Sequence, residues 1–351
     1  MTHVYCLGAF VGFPGAEELV DAGLKGLKGA LHDDVNDGWY PEITPEGGYT
    51  PHQAVLCARF RAAGLIVRDP ARSPRCRRTA RPCRKGLPRQ VLGRRDRPVR
   101  DTWNTEFTEL DPYRGLNANM HSVEAFLAVA DVTGDETWRK RAGRIIEHVL
   151  GWAKANNWRI PEHFHSDWSL DLECNREKPD DQFKPYGATP GHGIEWARLI
   201  TQWATSTYPS DPAAASPYID AAEHLFNRAV EDAWNADGAP GLVYTTDWDG
   251  KPVVHGPYAL GAGRGHQHVL HARPRDRQGI VRQVVCDVPR VRGQHGDGSR
   301  QRILVPPARP HQPAIGTVWP GKSDLYHATQ SMMIPLRDPS LSIAPAAKKQ
   351  G

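Results

Sequence analysis

Residues 189–196 read Thr-Pro-Gly-His-Gly-Ile-Glu-Trp and open the segment from which the fold of this 351-residue chain can be inferred. The Pro-Gly pair interrupts what precedes it, and apolar residues then recur at helical spacing through Leu199 and Ile200. This pattern predicts a helix over 192–206. A second amphipathic stretch over 217–234 predicts its hairpin partner, which ends at an Asn-Ala-Asp-Gly turn.

The same unit occurs twice more towards the N-terminus. Helices over 122–131 and 136–155 are predicted on either side of a Thr-Gly-Asp turn, and a helix over 15–31 precedes an Asp-Gly turn with an aromatic extended piece. Repetition of this unit predicts an array of helical hairpins. Such an array either closes into an α/α barrel, whose loops form a pocket at one end, or stays open as a solenoid.

Two of the predicted helices begin with the same arrangement of histidine and glutamate. His121 and Glu124 are three residues apart, as are His192 and Glu195, so each pair lies on one helix face. An imidazole beside a carboxylate can transfer protons, because the carboxylate fixes the tautomer and raises the basicity of the ring. A third histidine, His327, follows a Trp-Pro-Gly turn near the C-terminus. The motifs predict one site built from the ends of several helices.

Composition excludes several classes of function. The formal net charge of +4 is modest for this length and predicts no nucleic-acid partner. The six cysteines form no C-x-x-C pair, and neither a secretory leader nor an apolar segment of membrane-spanning length is evident, which predicts a cytoplasmic protein with no membrane partner. Zinc-type H-x-x-x-H spacing, a Walker A loop and a dinucleotide fingerprint are absent, so we expect neither a metal nor a cofactor.

Two irregular stretches, 58–101 and 262–315, interrupt the helical pattern. Thirteen of the forty residues in 61–100 are arginine, and proline breaks every helical run that starts in either stretch. A basic arm for RNA or phosphate, a disordered linker and a shifted reading frame would each account for such composition. We favour a shifted frame, because GC-rich coding DNA read out of frame is rich in Arg, Pro, Ala, Gly and His, and both flanks are well-patterned helices.

Aromatic residues accompany the histidine motifs. A pocket that combines aromatic faces with Asn, His and Glu suits a sugar, whose C–H faces stack on rings and whose hydroxyls need paired donors and acceptors. The aromatic residues near the motifs are Trp39, Tyr40, Trp103, Tyr113, Tyr186, Trp196, Trp248 and Trp319.

Three segments together resemble the signatures of the N-acylglucosamine 2-epimerase family of sugar epimerases and isomerases. They are Tyr-Arg-Gly-Leu-Asn-Ala-Asn-Met-His at 113–121, Pro-Tyr-Gly-Ala-Thr-Pro-Gly-His-Gly-Ile-Glu-Trp at 185–196, and Val-Trp-Pro-Gly-Lys-Ser-Asp-Leu-Tyr-His at 318–327. The resemblance implies an all-α fold, a single (α/α)6-barrel domain over 1–351. It also implies proton transfer at sugar C2 through a cis-enediol, without metal or cofactor.

The resemblance also implies roles for individual residues. By position, His192 matches the general base with Glu195 beside it, and His327 matches the partner acid or base. The positions expected to bind the monosaccharide substrate are His121, Asn117, Tyr113, Trp248 and Lys184. From the residues alone, Asn117 and Asn119 are suited either to capping a helix that begins near Met120 or to reaching into a cleft.

Trp196, directly after Glu195, favours the branch of aldose–ketose isomerases that act on mannose or sulfoquinovose. Two alternatives stay open: a 2-epimerase acting on N-acylglucosamine or another sugar, and an inactive helical-array or binding protein. The sequence leaves the oligomeric state undecided.

Two features depart from the family pattern. The family has an arginine before the Met-Thr-His-Val-Tyr segment that opens this chain, and it has barrel helices where the two irregular stretches fall. Loss of one packed helix costs more than the roughly 5–15 kcal/mol that separates folded from unfolded chains. The departures therefore predict an incomplete barrel and impaired catalysis.

Overall fold

The computed structural model describes residues 1–44, 46–49, 52–54, 98–100, 102–238, 242–255 and 325–333, together with 338, 340–343 and 345. The irregular stretches predicted over 58–101 and 262–315 lie outside these residues, apart from 98–100. In the described part of the chain, no helix is both long enough and apolar enough to cross a membrane.

Helices dominate the described residues, and the predicted all-α class is confirmed. In chain order they are α1 (Thr2–Phe10), α2 (Ala16–Lys28), α3 (Leu116–Thr133), α4 (Glu136–Ala155), α5 (Pro190–Thr207), α6 (Pro212–Ala233) and α7 (Leu325–Met333).

The predicted hairpins are confirmed as α3 with α4 and α5 with α6, although α3, α5 and α6 begin earlier than predicted. Helices α5 and α6 each have proline in the first turn, where its missing N–H removes no helical bond. Between α3 and α4, Gly134 adopts a left-handed conformation and Asp135 caps α4 by accepting a hydrogen bond from the Thr137 N–H. Local chemistry thus ends one helix and starts the next.

The core lies between the two hairpins. Trp196, Leu199 and Ile200 of α5 are fully buried among the apolar faces of α3, α4 and α6. Trp203 packs directly on Gly143 of α4, where any Cβ would stand 2.6 Å from the indole ring. The glycine therefore allows α4 and α5 to approach closely.

The first and last described helices also meet. Cys6 and Leu7 of α1 pack with α2 and with Met333 of α7. Beyond α7, the Ser342 hydroxyl donates to Asp131 Oδ2 at 2.7 Å and accepts from Gln202 Nε2 at 3.1 Å. Both ends of the described chain are therefore bound to the helical core.

The strands are short and pair in antiparallel twos. Among the described residues the pairs are β1 (His32–Asp33) with β2 (Gly38–Trp39), β3 (His52–Ala54) with β4 (Thr102–Asn104), β5 (Arg114–Gly115) with β6 (His163–Phe164), and β7 (Thr245–Thr246) with β8 (Pro252–Val254). Strand β5 ends directly before α3, so its pairing with β6 places β6 beside the start of that helix.

Candidate active site

The starts of α3 and α5 are held against β6 and β7. The backbone N–H of Leu116, the first residue of α3, donates to the Glu162 carbonyl at 3.0 Å. Ahead of α5, Ala188 exchanges two backbone hydrogen bonds with Thr246 of β7. Gly187 makes this contact possible, because its φ is +88° and a Cβ there would stand 2.1 Å from the Thr246 carbonyl oxygen.

His192 lies in the first turn of α5 and binds a carboxylate from outside the helix. Its Nδ1 is 2.8 Å from Oε1 of Glu162, the residue just before β6. Glu162 is 4% exposed, and the His192 side chain is 15% exposed. This partly buried pair can take up and release a proton, since the carboxylate stabilises the imidazolium that forms.

The partner predicted for His192 was wrong, because Glu162 occupies the place expected for Glu195. Side chains of a helix lean towards its N-terminus, so His192 in the first turn extends back over the preceding segments, where Glu162 lies. Glu195 is one turn further along α5 and 1% exposed, with its Oε1 4.0 Å from the Arg198 guanidinium.

The first motif pairs as predicted: His121 Nδ1 lies 3.3 Å from Glu124 Oε2. Glu124 also accepts hydrogen bonds from Arg198 at 3.1 Å, from Tyr326 at 2.5 Å and from Gln330 at 3.2 Å. With His121, Glu124 therefore has four donors, and they come from α3, α5 and α7. We call Glu124 and the four donors the Glu124 hub.

The hub sets the charge state of its members. Burial opposes ionisation of Glu124, but the hydrogen bond from His121 and the charge of Arg198 outweigh it, so its pKa lies well below the usual range. Burial and the neighbouring Glu124 charge raise the pKa of Tyr326 well above its usual value. Next to Tyr326, burial lowers the pKa of His3 from 6.5 to about 4. The hub is therefore an ionised carboxylate surrounded by donors, with a neutral histidine close by.

His121, Glu124 and Glu195 bring ligand atoms within 4.8 Å of one another, as a metal site would. Arg198, however, donates to one of the Glu124 oxygens and approaches Glu195. A guanidinium in this position already balances the negative charge that a cation would need. The arrangement fits an ion-pair network better than a metal centre.

Two of the predicted sugar-binding residues, Tyr113 and Lys184, contact each other, and Tyr113 binds His163, a histidine that sequence reasoning missed. Tyr113 donates its hydroxyl to His163 Nδ1 at 2.7 Å, and the Lys184 ammonium stands 3.8 Å from the centre of the Tyr113 ring. His163 Nε2 lies 2.8 Å from the Pro185 carbonyl, which can only accept, so the proton is on Nε2. Burial lowers the pKa of His163, which favours the neutral ring.

The remaining predicted residues lie in different places. Trp248 donates its indole N–H to the Leu172 carbonyl at 2.8 Å, and Asn117 is partly exposed in the first turn of α3. His327 belongs to α7, whose Tyr326 and Gln330 reach the Glu124 hub, but the His327 side chain lies outside the described residues.

The capping role expected for Asn117 and Asn119 was wrong, because α3 already begins at Leu116 and its N-cap is Gly115. Asn119 is fully buried, and its amide binds the backbone of Val99 at both N–H (2.7 Å) and carbonyl (3.2 Å). It thus fixes a neighbouring segment rather than a helix end.

Glu162 and His163 are the site residues that sequence reasoning missed. A signal was present in Pro-Glu-His-Phe at 161–164, where an acid and a histidine stand together between two predicted helices. Helical spacing does not single out this pair, because it lies between the predicted helices, where that spacing does not apply.

Solved structures with a similar fold are (α/α)6 barrels, and the predicted barrel architecture is confirmed. The crystal structure of a D-mannose isomerase superposes with a TM-score of 0.72 at 19% identity, covering 82% of this chain and 73% of that one. Cellobiose 2-epimerase from Spirochaeta thermophila gives 0.65 at 17% identity, covering 82% and 71%. Fold and site together define an α/α-barrel protein with a histidine–carboxylate centre.

Sequence relatives make the class narrower. The D-mannose isomerase of Pseudomonas cannabina pv. alisalensis is 34% identical over 368 residues, which cover 99% of this chain and 84% of that protein. The D-mannose isomerase of Thermobifida fusca is 34% identical over 372 residues, covering 100% and 86%. The model of the N-acylglucosamine 2-epimerase family matches residues 1–259. The chain belongs to this family and is an enzyme of the aldose–ketose isomerase and 2-epimerase class.

Proposed function

We propose that this enzyme interconverts mannose and fructose, or a closely related pair of aldose and ketose, by moving a proton at C2. The observation that carries the proposal is the His192–Glu162 pair, in which a partly buried imidazole in the first turn of a barrel helix lies 2.8 Å from a buried carboxylate. Two relatives at 34% identity, both named D-mannose isomerase, support mannose as the sugar.

The reaction balances without an oxidant. His192 takes the C2 proton of the open-chain aldose, the electrons of that bond form C1=C2, and the aldehyde oxygen gains a proton to give a cis-enediol. A proton then leaves the oxygen on C2 and a proton is added at C1, which yields the ketose. Returning a proton to the other face of C2 would give the epimer instead, so the same intermediate serves both reactions of the class.

We assign His327 as the partner acid or base, because α7 is tied to the Glu124 hub through its Tyr326 and Gln330. His121, Asn117, Tyr113, Trp248 and Lys184 remain the proposed sugar-binding residues. Glu195 remains a proposed catalytic residue. Its carboxylate lies next to the His121 ring and the Glu124 carboxylate.

Proton NMR in deuterium oxide tests the proposal with mannose and N-acetylglucosamine as separate substrates. We expect mannose to lose its C2 proton signal while fructose appears, with no such change for the His192→Asn variant. Deuterium at C2 of N-acetylglucosamine together with its 2-epimer, but no ketose from mannose, would assign the chain to the epimerases. No exchange with either sugar would refute the proposed function.

The same experiment tests the predicted impairment. The two irregular stretches, which fall where the family has barrel helices, predict turnover far below the roughly 10 per second that is typical of enzymes. A high enzyme concentration and long incubation are therefore needed to detect it. Turnover at the typical rate would contradict the predicted impairment and leave the proposed function intact.

A further inference from the structure

We infer that Glu162 is a positioning residue that fixes the tautomer of His192 and makes Nε2 the atom that exchanges the proton with the substrate. The inference rests on the proposed function, in which His192 is the base. It adds a residue that lies thirty positions before His192 in the chain and directly precedes β6.

The geometry selects one tautomer. An ionised carboxylate can only accept a hydrogen bond, so the 2.8 Å contact between Glu162 Oε1 and His192 Nδ1 requires the ring proton on Nδ1. A neutral ring protonated there has its lone pair on Nε2. Among the described residues, Nε2 of His192 has no hydrogen-bond partner, which leaves that nitrogen available to the substrate.

Glu162 is held rigidly enough for this role. Its own carbonyl accepts from Leu116 at the start of α3, and the next residue, His163, has both ring nitrogens hydrogen-bonded. His163 and Phe164 pair with β5. The carboxylate is therefore presented by backbone that two elements fix, and it is buried at 4% exposure.

No other described acid competes for His192. Glu195, which has the spacing to reach it, lies with His121, Glu124 and Arg198. Glu162 is therefore the described carboxylate that binds His192. When His192 takes up a proton, the hydrogen bond between a neutral ring and a carboxylate becomes an ion pair between two side chains that are largely shielded from solvent. This change favours proton uptake without any movement of the side chains.

Glu162→Gln tests the inference, because an amide of the same shape can donate to Nδ1 and so reverse the tautomer. We expect kcat to fall by roughly 100-fold or more while KM changes by less than about 3-fold, since Glu162 orients the base rather than binding the sugar. Glu136→Gln, at a glutamate that is 59% exposed on α4, is the matched control and should leave both constants unchanged. Thermal unfolding of both variants checks that the fold is retained.

A second readout does not depend on turnover. In protein labelled with 15N at histidine, the ring nitrogens report which one carries the proton, and the signals of His192 are those missing from the His192→Asn variant. We expect a protonated Nδ1 in the unsubstituted enzyme and a protonated Nε2 in Glu162→Gln. Unchanged tautomers, or a kcat within about 3-fold of the parent, would overturn the inference. The expected tautomers without turnover of any sugar would instead overturn only the proposed function.

Discussion

His121 and His192 each begin a His-x-x-Glu motif near the start of a buried helix, and the two histidines bind different carboxylates. His121 pairs with the glutamate of its own motif, Glu124, which also receives donors from two other helices. His192 pairs with Glu162, which comes from the segment before β6. The same spacing in sequence therefore produces one centre that joins helices and another that is suited to proton transfer.

The polar residues around the two motifs differ in the same way. Near His121, the Asn119 amide makes three hydrogen bonds to backbone groups. Ahead of His192, the Thr189 hydroxyl is buried and has no partner among the described residues. The start of α3 is satisfied internally, whereas the start of α5 has a polar group available for a ligand.

The largest expected effect separates the two histidines by activity. We expect His192→Asn to lower kcat by roughly 10²–10⁴-fold, the usual contribution of a general base. His121→Asn should act mainly through KM, because this ring is bound to the Glu124 hub and is proposed to hold the sugar. Steady-state kinetics on mannose measure both. An equal loss of kcat in the two variants would show that the two centres share the chemistry.

The next effect separates the two centres by stability. Glu124→Gln removes the nearer of two carboxylates from Arg198, which is 8% exposed on α5 and then keeps only the 4.0 Å contact with Glu195, and we expect the free energy of unfolding to fall by about 3 kcal/mol. Glu136→Gln removes a carboxylate that is 59% exposed from Arg139, which keeps its 3.2 Å ion pair with Asp131, and should cost less than about 1 kcal/mol. Urea unfolding of both variants measures the difference. Similar midpoints would mean that the hub does not hold the helices together.

The helical hairpins could be predicted from sequence because a helix is recognised by local spacing, and the apolar positions of α5 recur every three to four residues. The His121–Glu124 pair could be predicted for the same reason. The Glu162 partner could not, because it depends on the β5–β6 pairing, which brings together residues about fifty positions apart. The role of Asn119 could not be predicted for the same reason, since the residue that it binds, Val99, is twenty residues away in the chain.

A third effect depends on pH and concerns His3, which lies beside Tyr326 of the hub. Burial lowers the His3 pKa from 6.5 to about 4, so the unfolded chain binds the proton more readily than the folded one. The contribution of His3 to the free energy of unfolding should therefore be complete above pH 6.5 and decrease as the pH drops from 6.5 to about 4. Below about pH 4, His3 should cause no further change. One pKa unit is worth about 1.4 kcal/mol, so the loss is on the order of 3 kcal/mol.

Unfolding measured across this pH range, with and without His3→Asn, tests the effect. Asparagine does not titrate, so the variant should have a flatter profile between pH 6.5 and 4. The stabilising contribution of Glu124 begins to be lost as the pH falls through about 4.5, the ordinary pKa of its carboxyl, so the effect of His3 is compared between pH 6.5 and about 5. Parallel profiles for the two proteins would show that His3 is equally easy to protonate in the folded and unfolded chain.

The smallest effect compares two threonines of the α5 region. The buried Thr189 hydroxyl has no partner among the described residues, whereas the Thr201 hydroxyl donates to the Ala197 carbonyl at 2.8 Å. Valine replaces a hydroxyl by a methyl of similar shape. Thr201→Val should therefore cost roughly 0.5–1.5 kcal/mol, and Thr189→Val should be neutral or stabilising by up to about 1 kcal/mol. Calorimetry of the two variants without sugar measures the sign of each change in stability.

If Thr189 instead contacts the substrate, its variant will keep this stability but show a higher KM, which would place the start of α5 within the sugar site. A loss of stability equal to that of Thr201→Val would mean that the Thr189 hydroxyl is satisfied, and that the two helix starts differ only in the carboxylate each histidine binds.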